Sequence, residues 1–166
     1  TVSEFDAQMH KMIMRYPEQV SLVQMNFLDT HDVPRFLSYC VGDRRRLRLA
    51  YFYLFMGYGV PSVFYGDEYY IEGETENAYR SPMPWGSEDN CYDILREYAQ
   101  IRREHSAIRN GTYRTVLCQD EKGLYLFLRE NEQEKILIAL NNSDEEQEIS
   151  DKAWRIPPMQ GDIRIL

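Results

Sequence analysis

The sequence predicts an α/β fold followed by an all-β fold. In residues 1–109, apolar runs of strand length alternate with segments of helical periodicity, which is typical of a parallel sheet covered by helices. In residues 110–166, short strand-like runs are separated by acidic, Gly or Asn turns, which indicates an antiparallel sheet. We therefore expect an α/β domain over residues 1–109 and a small antiparallel β-sandwich over residues 110–166.

The first predicted elements are a helix and a strand. Ser3 is the expected N-cap of the helix, apolar residues then recur at helical spacing, and Pro17 ends it. Residues 20–28 are apolar at most positions, which predicts a strand buried on both faces. Such a strand belongs in a parallel sheet.

Polar and ionisable side chains follow this strand directly. Asp29, Thr30, His31 and Asp32 lie where α/β folds keep their active sites, at the carboxyl ends of parallel strands. Asp32 is therefore the leading candidate for chemistry. The alternative is that Asp29, Thr30 and Asp32 only cap a turn or the next helix, as short polar side chains often do. The spacing alone leaves both interpretations open.

A second strand and its helix complete a predicted βαβ unit. Asp43 is the expected N-cap of a helix over residues 44–56, whose second half is apolar all round and should be enclosed. Residues 60–65 form the next predicted strand, which ends in the acids Asp67 and Glu68. The crossover between the two strands should be right-handed.

A long loop, another helix and the β strands follow. Residues 69–90 are rich in Gly, Glu, Asn, Pro and Ser, and a loop of this length is usually functional or a lid. Residues 92–105 have the apolar spacing of a helix. The strands predicted for the last part of the chain are 112–118, 123–129, 135–141, 147–149 and 162–166.

Three motifs resemble one enzyme family in their order along the chain. Phe27–Phe36 (Phe-Leu-Asp-Thr-His-Asp-Val-Pro-Arg-Phe) and Gly59–Glu68 (Gly-Val-Pro-Ser-Val-Phe-Tyr-Gly-Asp-Glu) are similar to the seventh and eighth barrel strands of the α-amylase family of glycoside hydrolases. Arg80–Trp85 resembles the Arg-x-x-Met-x-Trp that follows them, and the neopullulanase, cyclomaltodextrinase and maltogenic amylase branch is the most similar. The resemblance implies that residues 1–109 are the last βα units of a (β/α)8 barrel. A complete barrel needs about 250 residues, so it implies the C-terminal part of an enzyme.

The resemblance also implies roles for the residues of the first motif. Asp32 would be the third carboxylate of the family's catalytic site, which holds sugar hydroxyls and distorts the sugar ring. His31 would hydrogen-bond the same sugar, and Arg35 resembles the arginine beyond the motif, so we expect both to bind substrate. The nucleophile and the acid of this family come from the fourth and fifth barrel strands. We therefore expect the isolated chain to be inactive.

Other residues of the three motifs have less direct roles. Asp67 and Glu68 stand in a motif that the family uses mainly to shape the barrel rim, so we interpret them as structural or as residues that support the site without touching substrate. Trp85 has two interpretations, stacking on a sugar face or burial at the start of the next helix. Glu76 and Asn77 stand where the family more often has Asp-Pro, which departs from its pattern of sugar contacts.

Composition excludes several classes of partner. The net charge of −8 argues against nucleic acid and anionic membranes, because binding phosphate requires clustered cations. The basic run Arg44–Arg46 is interpreted as the solvated start of a helix. The three cysteines have no metal-like spacing, so we expect no disulfide framework and no zinc site, and we favour a reducing, cytoplasmic location. We also expect no cofactor and assign no residue as a metal ligand. No apolar stretch has the ~18 residues of a membrane span.

Two classes of function remain. The first is the C-terminal part of a retaining glycosidase that acts on α-glucans, and the second is a non-catalytic module that binds carbohydrate or another protein. In either case we expect the chain alone to form a homo-oligomer, because strands that are apolar on both faces would be left uncovered. The identity of the α-glucan, hydrolysis as against transfer, and a calcium requirement stay open, since the acidic loops lack calcium-loop spacing.

Overall fold

The computed structural model describes residues 1–149 and 153–166. The first part of the chain is mainly helical, with two short strands. Its elements are α1 (Val2–Ile13), α2 (Glu18–Val23), β1 (Met25–Asn26), α3 (Phe36–Tyr39), α4 (Arg44–Met56), β2 (Val60–Pro61), α5 (Glu76–Tyr79), α6 (Tyr92–Glu104) and α7 (Ser106–Asn110). Within the described residues, none of these helices has the length and apolar character that a membrane crossing requires.

The strand predicted over residues 20–28 is confirmed only at Met25 and Asn26, and the strand predicted over residues 60–65 only at Val60 and Pro61. Residues 20–23 belong instead to α2, which begins after Pro17 because the proline fixes a φ of −53° that suits a helix start. The Ser21 hydroxyl donates to the Ile13 carbonyl and ties α2 back to α1. The strand pairing itself is confirmed, because β1 pairs with β2 in parallel, with Met25 opposite Val60.

The helix predictions are confirmed with small shifts of their ends. The N-cap of α1 is Thr1 rather than Ser3, and Thr1 and Glu4 form a reciprocal capping box. Asp43 caps α4 as predicted, because its carboxylate accepts the Arg45 N–H at 2.9 Å. The helix predicted over residues 92–105 is α6, and the short α7 that follows it was not predicted.

The arginines at the start of α4 make contacts that were not predicted from the sequence. Arg44 forms two hydrogen bonds of 2.6 Å to the carboxylate of Asp89 and lies 4.4 Å from the centre of the Tyr70 ring. Arg45 reaches Asp43 and, at 2.9 Å, Asp144. The basic run therefore holds the 69–90 loop and a turn of the β part against α4.

The second part of the chain is a β structure of two layers. A four-stranded antiparallel sheet has the order β3-β4-β5-β8, and β6 and β7 form a separate hairpin. The strands are β3 (Thr112–Gln119), β4 (Leu124–Glu130), β5 (Lys135–Asn141), β6 (Gln147–Ile149), β7 (Trp154–Ile156) and β8 (Gln160–Ile165). The sequence-based strands are confirmed, except that β7 was not predicted.

Both faces of the sheet are covered, which explains why β4 and β5 are apolar at successive positions. One face packs against the helices, and Phe127, Ile136 and Ile138 share a core cluster with α4 residues. The other face packs against the hairpin through Trp154 and Ile156. A single core therefore crosses the predicted domain boundary at residues 109 and 110.

Two arginines, the fully buried Arg129 and the partly buried Arg102, bind carbonyls at the end of α4. Arg129 is fully buried and donates to the carbonyls of Met56, Gly111 and Thr112 at 3.0–3.2 Å. Arg102 donates to the carbonyl of Phe55 at 2.7 Å. Burial lowers the pKa of each guanidinium to about 10, so both stay cationic at neutral pH. Their charges lie at the carbonyl end of α4, where the helix dipole favours a cation.

The contact between α4 and β8 can be tested at Gly161, where an added Cβ would overlap the Phe52 ring. Gly161→Ala should lower the free energy of unfolding by about 1–3 kcal/mol, the usual cost of overpacking a core, as measured by urea unfolding. In a Phe52→Leu background the same substitution should cost less, because the ring that it meets is gone. Equal costs in both backgrounds would show that α4 and β8 do not meet at this point.

Candidate active site

The loop of residues 29–36 connects β1 to α3 and carries the candidate residues. The Asp29 carboxylate accepts the Phe36 N–H at 2.6 Å, which caps the first turn of α3. The Thr30 hydroxyl accepts the Asp32 N–H at 3.2 Å. The capping interpretation is therefore right for Asp29 and Thr30. It does not describe the side chain of Asp32.

His31 and Asp32 form an exposed pair beside the loop that follows β2. The side chains are 63% and 66% exposed, and the His31 Nε2 lies 3.3 Å from the Asp32 Oδ1. Arg80 donates from Nε to the His31 carbonyl at 2.8 Å and from Nη2 to the Asp32 Oδ1 at 3.3 Å. Glu76 in turn pairs with Arg80 at 3.0 Å. A carboxylate and an imidazole are thus presented side by side to solvent, where both can hydrogen-bond hydroxyl groups.

The burial of Arg35 contradicts the prediction that this residue binds substrate. Its side chain is fully buried, so it offers no surface to a sugar. Nη1 donates to the Tyr65 carbonyl at 2.6 Å and to the Asp67 carboxylate at 3.1 Å, and Nε donates to the Tyr79 carbonyl at 3.0 Å. The guanidinium also lies 4.3 Å from the centre of the Phe64 ring. The motif identified Arg35 as important but gave no information about the direction of its side chain.

Asp67 is the carboxylate at the centre of this buried cluster. Only 2% of its surface is exposed, and it accepts hydrogen bonds from Arg35 and from the Tyr51 hydroxyl. Burial, and then the nearby charge of Asp29, raise the pKa of the Asp67 carboxyl well above its usual range. Burial likewise raises the pKa of Tyr51, which therefore stays a hydrogen-bond donor. Asp67 has the structural role that was predicted for it.

The remaining motif residues lie on the loop after β2. Trp85 is 79% exposed, so the interpretation that it is buried is wrong, and stacking on a sugar stays a prediction. No role was predicted for Arg80 from the sequence, although an acid four residues before an arginine, here Glu76, is a signal for their pairing. Its contact with the His31–Asp32 pair spans 48 residues and could not be inferred from spacing.

Within residues 1–149 and 153–166, no group of three or more His, Cys, Asp or Glu side chains has an arrangement that could hold a metal ion.

Comparison with known sequences identifies the family. The profile of the family described as "Alpha amylase, catalytic domain" matches residues 2–114. The cyclomaltodextrinase of Bacillus sp. is 32% identical over 142 residues, which is 84% of this chain and 25% of that protein. Neopullulanase 2 of Thermoactinomyces vulgaris is 31% identical over 148 residues, which is 87% of this chain and 25% of that protein. The chain thus spans about a quarter of the length of these relatives.

Solved structures have the same fold. A cyclomaltodextrinase structure superposes with a TM-score of 0.79 at 31% identity, over 88% of this chain and 26% of that chain. The cyclic alpha-maltosyl-(1-->6)-maltose hydrolase of Arthrobacter globiformis reaches 0.89 at 22% identity, over 99% of this chain and 40% of that chain. On these matches and on its three motifs, the chain belongs to the α-amylase family of glycoside hydrolases and resembles the branch of cyclomaltodextrinases, neopullulanases and maltogenic amylases.

Proposed function

We propose that this chain is the C-terminal part of a retaining glycosidase that acts on α-glucans. The observation that carries the proposal is the exposed His31–Asp32 pair, which follows a strand paired in parallel with β2. Parallel strands present their carboxyl ends on one edge, which is where (β/α)8 enzymes gather catalytic groups. The names of the relatives, cyclomaltodextrinase and neopullulanase, support an α-glucan as the substrate class.

In this proposal β1 and β2 are the last two strands of an eight-stranded barrel. Apolar side chains that remain exposed around the two strands support it, because a barrel would cover them. They are Val20, Val23, Met25, Phe27 and Val60, which are 44–71% exposed. A layer of helices on one side and a filled barrel interior on the other is the usual environment of such strands.

The chemistry divides between this chain and the rest of the proposed enzyme. Retaining cleavage needs a carboxylate nucleophile and a carboxylic acid about 5–5.5 Å apart, and the other barrel strands would supply both. Asp32 and His31 would hydrogen-bond the hydroxyls of the sugar whose bond is cleaved. A negative carboxylate beside an oxocarbenium-like transition state stabilises its developing charge more than it stabilises the ground state.

The isolated chain should have no glycosidase activity, because Asp32 by itself cannot carry out a double displacement. The measurement is release of reducing sugar from maltotriose by the purified chain. Release that is reproducible and is abolished by Asp32→Asn would contradict the division of roles proposed above.

The role of Asp32 can be measured in a chimera, the cyclomaltodextrinase of Bacillus sp. in which this chain replaces the segment that aligns with it. Asp32→Asn should lower kcat by about two orders of magnitude or more with a smaller change in KM, because the carboxylate acts mainly in the transition state. Asp93→Asn, which changes a carboxylate that is 93% exposed on α6, is the matched control and should leave kcat unchanged. A kcat for Asp32→Asn within tenfold of the parent chimera would make Asp32 an ordinary loop residue.

The chain without further barrel strands should self-associate through the exposed apolar residues around β1. Light scattering after size exclusion at micromolar concentration should give a mass above that of one chain. Lysine in place of both Val23 and Met25 should shift the protein toward monomer, because a charge in a buried interface is costly. Val116→Lys, at a valine of β3 that is 45% exposed, is the control and should not. A monomeric parent chain that binds no hydrophobic dye would reject this prediction.

A further inference from the structure

We infer that Arg35 and Asp67 are positioning residues that fix the loop bearing His31 and Asp32 against the end of β2. The inference rests on the proposed function in one respect, that His31 and Asp32 are the pair that contacts the sugar. In this inference Arg35 and Asp67 support the reaction by holding His31 and Asp32 in place, although neither of them touches substrate.

The guanidinium of Arg35 joins its own loop to two separate segments, the turn after β2 and α5. Arg35 donates to the Tyr65 carbonyl after β2, to the Asp67 carboxylate in the turn beyond it, and to the Tyr79 carbonyl in α5. Its own N–H donates to the Gly73 carbonyl at 2.9 Å. A residue that belongs to the His31–Asp32 loop therefore anchors the loops that surround the pair.

Buried groups anchor the 29–36 loop on both sides of Asp32. Asp29 is three residues before Asp32, is 1% exposed, and accepts the Phe36 N–H. Arg35 is three residues after Asp32 and is fully buried. Pro34 fixes one backbone angle between them and restricts the residue before it. A shift of either anchor is therefore transmitted to Asp32 through a short and stiff segment.

Burying the charged groups of Asp29, Arg35 and Asp67 costs free energy. Two acids and one arginine are almost completely buried, and a buried ion pair is often no more stabilising than apolar side chains of the same volume. The Arg35 Nη2 is buried without a hydrogen-bond partner among the described residues, and the Asp29 carboxylate faces that of Asp67. Unsatisfied buried groups of this kind call for an explanation, and a site that needs a fixed geometry provides one.

The test compares the order of the loop with the stability of the whole chain. The variants are Arg35→Lys, which keeps the charge but loses the planar fork, and Asp67→Asn, which keeps the shape but loses the charge and one of the two oxygens that accept from Arg35 and Tyr51. Arg129→Lys is the matched control, because Arg129 is equally buried and also binds carbonyls but lies in the sheet. Amide hydrogen exchange and NMR signals are recorded for residues 30–36 and for α4 in each protein.

If Arg35 and Asp67 are positioning residues, both variants should speed the exchange of residues 30–36 by about tenfold or more relative to the α4 amides, as in a local opening. The signals of His31 and Asp32 should shift as well. The Arg129→Lys control should change exchange in proportion across the chain and leave those two signals in place. The inference would be overturned if the exchange rates of residues 30–36 changed only in proportion to those of the α4 amides and the His31 and Asp32 signals did not shift.

A kinetic measurement on the chimera separates this inference from the proposed function. Arg35→Lys should lower kcat by about a hundredfold with little change in KM, since a small misplacement of a catalytic group costs about that much. If Asp32→Asn leaves kcat unchanged, the proposed function fails, and the exchange measurement still decides whether Arg35 orders the loop. If Asp32→Asn abolishes turnover and Arg35→Lys changes neither kcat nor loop exchange, only the positioning role is rejected.

Discussion

Enclosure of α4 is the constraint on which the rest of the structure depends. Its second half is apolar on every side, so it is stable only where other elements cover it all round. Consecutive residues point in different directions. Tyr51 donates to Asp67 beneath the candidate site, Phe52 packs edge-to-face with Tyr98 of α6, and Tyr53 packs edge-to-face with Phe127 of β4. One helix thus couples the site, the last helices and the sheet.

This coupling carries one hydrophobic core across residues 109 and 110. The sheet turns one apolar face to the helices, with which it shares that core, and the other face to its own hairpin. The buried Arg129 lies where the helices meet the sheet and binds carbonyls of both parts of the chain. The packing of α4 also supports the site. Tyr51 of α4 donates to Asp67 and so attaches the buried cluster around Asp67 directly to this helix.

The sequence predicted the elements whose pattern is local and failed where distant contacts decide the structure. The spacing of apolar residues located α4 and α6, and turn residues located most strands of the sheet. Residues 20–23 have a strand-like composition, yet they follow Pro17 and form a helical turn with few partners around it. At the site, the motif located Asp32, but burial turned Arg35 from an expected ligand of the sugar into an internal anchor. The contact between Arg80 and Asp32 could not be predicted either, because it depends on how the long 69–90 loop folds back.

In the proposed enzyme, the His31–Asp32 pair contacts the sugar at a site which other barrel strands complete. A crystal structure of the chimera with a bound maltotriose tests this contact most directly. The account predicts an Asp32 carboxylate oxygen within about 2.5–3.0 Å of sugar hydroxyls, with Arg35 still buried against Asp67. A sugar bound elsewhere on the protein, with Asp32 facing only solvent, would contradict it.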